Sequence, residues 1–370
     1  MKLPFLGGMS AQQFIREYWQ KKPLLVRGAF PGFGDMLTPD ELAGLACEAD
    51  AQSRLVLHTR GKWKLEQGPF QEQRFAELPA KGWSLLVQGV NHFLPEADAL
   101  LHRFDFIPRT RLDDLMVSLA PDGGGVGPHF DSYDVFLLQG SGRRLWRVSS
   151  QQDMELVPDS ALRILKNFRT DEEWVLEPGD MLYLPPRLAH WGIAVGECMT
   201  WSIGFRAPST QELATQFLVY LQDHIHLDGL YADPDLQPQR HPAQIAGQMV
   251  RRVRDMLQGV RWNSDDVARF LGTYLTEPKG HIVFDVPRRI GLDKFRARLQ
   301  RDGIQLDLRS QMLFYGDFVF INGEHVQQAG DTLQCLTALA DLRAIPAGLG
   351  LPDTAVALLH QWHGAGYLRF

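Results

Sequence analysis

Cysteine is scarce in this chain. Cys47, Cys198 and Cys335 are odd in number, widely separated and without any C-x-x-C, which argues against a disulfide framework or a thiolate zinc site. They read as ordinary buried thiols. Long apolar runs are missing too, since none approaches the roughly 18 residues of a membrane span. The opening MKLPFLGGMS has one lysine and only a brief apolar patch, short of a signal peptide. No membrane association is therefore expected, and a cytoplasmic location is. A basic excess is also lacking: the formal charge of −6 disfavours broad attraction to nucleic acid. Internal repeats and low-complexity tracts are absent.

What is present is a change of texture along 370 residues, a length that accommodates two or three units. A helix pattern over residues 10–20 (Phe14, Ile15, Tyr18, Trp19) gives way at Pro23 to a short apolar strand. Strand-like runs then follow closely: SRLVLHTR, WSLLVQGV, DDLMVSLA, YDVFLLQG, RRLWRVS, DMLYLPP and CMTWSIGF. Turn signals such as PDGGG, GSGR and EPGD separate several of them. Such a succession up to about residue 205 predicts a jelly-roll barrel or sandwich. After FRAPST the periodicity becomes helical, with Leu213, Phe217 and Leu221 on one face and AQIAGQMVRRVRDMLQGV as a second amphipathic stretch. A smaller α+β unit begins near Thr276. The expected division is 1–205, 206–275 and 276–370.

Within the barrel region one stretch stands out, Gly127 to Phe136, GPHFDSYDVF. Polar side chains on an inward strand face are costly unless something pairs them, and a metal ion would do so. Positions two apart on a strand share a face, so His129 and Asp131 form half of a facial triad of two histidines and one carboxylate, the iron(II) oxygenase pattern. His190, in EPGDMLYLPPRLAHWGIAV about sixty residues on, is the best second histidine. A bare H-x-D is common by chance, and its bland reading is a hydrogen-bonded or solvated pair. In SGRRLWRV, Arg144, Trp146 and Val148 share one face while Arg143, Leu145 and Arg147 share the other. An arginine on the core side is expensive unless an anion engages it, which suits Arg144 as the clamp for a carboxylate. An edge arginine reaching solvent is the competing reading.

Two further clusters are decoys. DHIHLD holds His224, His226 and Asp228, but helical residues two apart diverge by about 200°, so a surface helix end is expected. GGGVG lacks the following helix and Lys-Ser/Thr of a phosphate loop, leaving a turn into the barrel.

The blocks GGGVGPHFDSYDVFLLQGSGRRLWRV and EPGDMLYLPPRLAHWG resemble the JmjC-type 2-oxoglutarate oxygenases, specifically the bacterial ribosomal oxygenases. YWQKKPLLVRGAF, WSLLVQGVNHF, RLDDLM, SIGFRAPSTQEL and YADPD are similar to that group as well, so the likeness covers residues 10–245 well and the remainder loosely. The resemblance implies a double-stranded β-helix catalytic domain, helical dimerisation region and small winged-helix-like unit. It implies an iron ligand set of His129, Asp131 and His190, with Arg144 and Ser202 at the cosubstrate and Asp114 and Tyr133 at the substrate side chain. Arg144 lies thirteen positions after Asp131, where many JmjC relatives have lysine. The implied cofactors are Fe(II), 2-oxoglutarate and O2. The implied partner is a large-subunit ribosomal protein hydroxylated at an arginine β-carbon, and the implied assembly a homodimer.

Rival functions are a hydroxylase of a ribosomal-protein histidine, a metal cupin that uses no 2-oxoglutarate, and a nonenzymatic binding module with a degenerate cupin site. Metal cupins commonly carry H-x-H and a nearby glutamate, whereas here the motif is H-x-D and the next glutamate is Glu155. From Thr276 to Phe370 ten Lys/Arg face ten Asp/Glu, so the last unit lacks the basic cluster of a phosphate-binding face.

Overall fold

A computed structural model describes residues 2–370. Eleven strands build the first half: β1 (Leu24–Val26), β2 (Ser53–Thr59), β3 (Lys62–Gln67), β4 (Trp83–Val87), β5 (Leu112–Ala120), β6 (Val135–Gln139), β7 (Arg143–Ser149), β8 (Glu172–Leu176), β9 (Met181–Leu184), β10 (Ala189–Val195) and β11 (Cys198–Phe205). Eight form one sheet in the order β1-β9-β6-β11-β5-β4-β2-β3, and β10-β7-β8 form a second. Neighbouring strands in both pair antiparallel.

The two-residue period of a strand decides what each face of the large sheet does. Leu115, Val117 and Leu119 of β5, Phe136 and Leu138 of β6, and Met199, Trp201 and Ile203 of β11 join Phe5, Phe14, Leu42 and Phe104 in the main core. The alternate positions, Met116, Ser118, Leu137, Thr200 and Ser202, look the other way into a cavity. A smaller core of Val135, Leu137, Trp146, Val148, Leu176, Leu182 and Leu184 closes the space between the sheets. One face of the sheet is thus packed apolar and the other is left polar around an opening.

Gly192 permits the tight approach of the second sheet's side chains, because a Cβ there would lie 2.7 Å from the Trp146 ring. Three helices follow the barrel, Thr210–His224, Gly247–Leu257 and Ser264–Thr276. Ser209 and Asn263 cap the first and third through capping boxes. Phe270 of the third packs on Phe217 and Tyr220 of the first. Its Gly272 lies against the Phe320 ring, where a Cβ would clash at 2.4 Å. The final unit sets the hairpin strands Met312–Tyr315, Phe318–Ile321 and Glu324–Gln327 against helices Leu292–Asp302, Gly330–Leu342 and Asp353–Gly364 around their own core.

Three strands escape the sequence pattern. β3 alternates charged residues and β8 opens with two adjacent glutamates, both partly exposed, and β10 contains His190 and Gly192 within an otherwise short apolar run. His224 ends its helix, and His224, His226 and Asp228 are exposed, as expected for a surface terminus.

Candidate active site

His129, Asp131 and His190 converge: each offers a ligand atom, and the three atoms lie within 4.8 Å of one another. The local structure differs from the strand reading. β6 begins only at Val135, and His129–Asp131 run as an extended segment outside the regular ladder. That segment is pinned by His129 and His190, whose main chains exchange two hydrogen bonds, 2.9 Å from His129 N and 2.8 Å from His190 N. Arg187, in the left-handed region at φ 65°, donates its N–H to the Asp131 carbonyl at 2.7 Å. His190 is the second residue of β10, opposite Val148, and not a turn residue. A free carbonyl edge would have frayed; the paired bridge fixes both imidazoles.

Each histidine is also oriented by its own chain. Nδ1 of His129 donates to the Gly127 carbonyl at 2.9 Å and Nδ1 of His190 to the Leu188 carbonyl at 2.9 Å. A carbonyl can only accept, so the proton sits on Nδ1 and the Nε2 lone pair is free to bind a cation. Burial, with His129 next in effect, pushes the His190 imidazole down to about 4, which keeps it in the neutral, ligating form at neutral pH. His190 Nε2 stands 3.6 Å from Asp131 Oδ2. Two imidazoles and one carboxylate suit a divalent transition metal with positions left open.

The second aspartate of the motif has another task. Asp134 is fully buried, accepts from the Tyr183 hydroxyl at 2.6 Å and from Gln20 Nε2 at 3.0 Å, and lies 3.5 Å from Arg111 Nη2. It locks the N-terminal helix onto the sheet.

The triad opens into a cavity of about 510 Å³, which Arg144, Ser202, Asp114 and Tyr133 all line. Arg144 is 5% exposed, and its Nε and Nη2 have no hydrogen-bond partner. Its guanidinium lies 5.9 Å from the Trp146 ring, and Trp146 Nε1 is likewise unpartnered. A buried cation left this way is costly, and a carboxylate arriving in the cavity removes that cost. Arg143 on the opposite face is exposed. Asp114 accepts from Gly89 N at 3.1 Å, and burial, followed by the neighbouring Asp113, raises its carboxyl above the ordinary range. Tyr133 sits at the mouth, 40% exposed. Two cavity residues escaped the motif reading, Arg54 and Ser84; they are thirty positions apart and only the strand register joins them.

Comparison with known proteins fits this geometry. Residues 99–213 match the JmjC domain and residues 259–369 the ROXA-like winged helix. The ribosomal protein uL16 3-hydroxylase of Escherichia coli (strain K12) is 36% identical over 362 residues, 96% of each chain. The chain belongs to the JmjC-type ribosomal oxygenases. A probable ribosomal oxygenase of Haemophilus influenzae is 41% identical over 60% of this chain and 54% of its own. The Escherichia coli ribosomal oxygenase YcfD, solved in complex with cobalt and 2-oxoglutarate, superposes with a TM-score of 0.83 at 35% identity and 98% coverage of both chains. The winged-helix match begins before the helix Ser264–Thr276, which packs on the C-terminal hairpin.

Proposed function

We propose that this oxygenase is an Fe(II)- and 2-oxoglutarate-dependent hydroxylase of a large-subunit ribosomal protein, acting on the β-carbon of an arginine. The observation that carries the reading is Arg144, a buried guanidinium with unpartnered nitrogens in the same cavity as two imidazoles and a carboxylate. A metal cupin that does not use a 2-oxo diacid has no need of it. His129, Asp131 and His190 would hold the metal, and Arg144 with Ser202 the far carboxylate of the cosubstrate. When bound, iron(II) with 2-oxoglutarate and O2 supplies the oxidation that turns a C–H into a C–OH, with succinate and carbon dioxide as coproducts.

The chain's own residues orient and enclose. The His129–His190 bridge sets both ligands before anything binds, so little reorganisation is needed. Phe130, Leu162 and Val126 line the cavity and restrict water. Asp114 fits a guanidinium fork and Tyr133 can lie along its plane, which favours arginine over histidine as the target side chain. The test is incubation with iron(II), 2-oxoglutarate and ribosomal proteins, followed by mapping of one added oxygen by mass spectrometry. A hydroxylated histidine, or succinate with no modified protein, would remove the arginine assignment.

The same reading includes a homodimer through residues 206–275. No residue of the helix Gly247–Leu257 is buried. Met249, Val250, Val253 and Leu257 line, with Ile245, an open apolar groove, a stripe at helical spacing that nothing in its own chain covers. A second copy offers the same stripe about a twofold axis. Val253→Asp should turn a dimer into monomers by light scattering, and a monomeric wild type would refute the assembly.

A further inference from the structure

The cavity extends away from the triad along β2 and β4, where Arg54, Val56, Ser84, Leu86 and Gln88 line it. Register places them together: Arg54 pairs with Leu86 and Val56 with Ser84, and directly opposed residues share a face. Leu86 in turn pairs with Ser118 of β5. On this cavity-facing side the two strands mix the apolar Val56 and Leu86 with an arginine and a serine.

Neither is satisfied. Arg54 Nε has no partner, its Nη2 reaches only the Met116 sulfur at 3.9 Å, and the Ser84 hydroxyl, on a residue 1% exposed, has none. No ion pair involves Arg54 among the described residues, whereas Arg111, Arg206 and Arg343 each find a carboxylate. Unmade hydrogen bonds at enclosed donors are costly, so an unpartnered pair in an active-site cavity points to a ligand.

Arg144, on the other sheet, already answers to the carboxylate of a small diacid. What remains is the substrate chain itself. An extended segment presents a carbonyl oxygen every 3.2–3.4 Å or so, a neutral acceptor for which Arg54 and Ser84 are donors. A cation at this end also repels a guanidinium, which leaves Asp114 as the place where the target side chain is welcome.

We propose that Arg54 and Ser84 anchor the main chain of the protein substrate, fixing its register beside the metal site. The proposal rests on the ribosomal-protein hydroxylase reading. Its test compares wild type, Arg54→Met, Arg54→Lys and Ser84→Ala with a peptide from the modified ribosomal protein, measuring peptide dissociation constant, peptide KM and 2-oxoglutarate KM. Loss of a charge-assisted bond predicts that Arg54→Met weakens the peptide about ten- to a hundredfold, far more than the cosubstrate. Lysine should restore part of the affinity, and Ser84→Ala should cost severalfold. The penalty should persist when carboxylates in the peptide are neutralised. If it vanishes then, Arg54 reads an acidic side chain and the main-chain assignment is overturned. A larger effect on 2-oxoglutarate than on peptide would move Arg54 to the cosubstrate, and unaltered peptide affinity in a folded Arg54→Met protein would overturn the proposal alone. Wild type that hydroxylates no ribosomal peptide overturns the hydroxylase reading and this proposal with it.

Discussion

The barrel and the C-terminal unit each enclose an arginine, and they treat it in opposite ways. Arg343 donates to the Ser310 and Asp307 carbonyls at 3.1 Å each, and its Nε lies 3.4 Å from Asp98 Oδ2. Arg144 leaves Nε and Nη2 unpartnered. Satisfied, a buried guanidinium is structural mortar; unsatisfied, it is a binding site awaiting an anion. Arg144 is 5% exposed and the Arg343 side chain 17%, so their partners separate them more than their exposure does.

The strongest test of this contrast removes the metal ligands. His129→Ala, Asp131→Ala and His190→Ala should each abolish measurable turnover while leaving the circular dichroism of the fold. The loss should exceed the roughly 10–100-fold that removing a supporting residue costs a metal site. Metal affinity, measured by calorimetry, should fall in parallel. Full activity in any variant with iron present would undo the triad.

Arg144→Met is next. It should retain iron and raise the 2-oxoglutarate KM by roughly 30- to 3,000-fold, the equivalent of about 2–5 kcal/mol for a desolvated charge pair. Arg144→Lys should be milder because it keeps the charge and loses the fork. Arg143→Met, on the exposed face of β7, should do little. The ligand-free Arg144→Met protein should melt no lower than wild type, since an uncompensated charge has been removed. A wild-type KM would leave the cosubstrate pocket elsewhere.

How much of this was legible in the sequence follows from how local each signal is. His129 and Asp131 stand two apart, and His190 follows a Pro-Pro turn, so spacing and residue type suffice. Arg144 was legible because Trp146 and Val148 mark its face as buried. The architecture up to Phe205 was readable where strands are rich in buried apolar residues, as in β5 and β11, and lost where charged, partly exposed residues dominate, as in β3 and β8. The sequence assigned no task to Asp134, because its partner Tyr183 lies 49 positions away. Arg54 and Ser84 were invisible, because only the pairing of β2 with β4 brings them to one face.

Asp114 offers a smaller, pH-dependent effect. Burial first, and Asp113 second, hold its carboxyl above the ordinary value, so it takes up a proton at a pH where exposed carboxylates are still ionised. As pH falls through that raised value the charge that pairs with a guanidinium is lost, and substrate KM should climb. Asp114→Asn should bind the substrate weakly at every pH and lose the slope. An equal slope in both proteins would assign the pH dependence to another group.

The smallest expected effect concerns the other arginine. Among the contacts between the C-terminal and catalytic units, two are reciprocal: Arg109 of the catalytic side donates to the Asp341 carbonyl at 2.7 Å, near the end of the helix Gly330–Leu342, and Arg343 faces Asp98. Cationic groups at a helix C-terminus satisfy carbonyls that have no partner within the helix. Arg343→Met deletes the side-chain half of that junction and removes the donor to the Ser310 carbonyl, while the Asp307 carbonyl keeps its bond from Ser310 N. Because it removes a satisfied cation, it should lower stability by about 1–3 kcal/mol, read as a lower melting temperature. Turnover per folded molecule should stay close to wild type, as Arg343 lines none of the catalytic cavity. The pair of substitutions therefore predicts a crossed result, with Arg144→Met losing cosubstrate affinity without losing stability and Arg343→Met doing the reverse. If Arg343→Met instead impaired 2-oxoglutarate or peptide binding as strongly as Arg144→Met, the C-terminal unit would be part of the active site, and the division between a satisfied structural cation and a waiting functional one would fail.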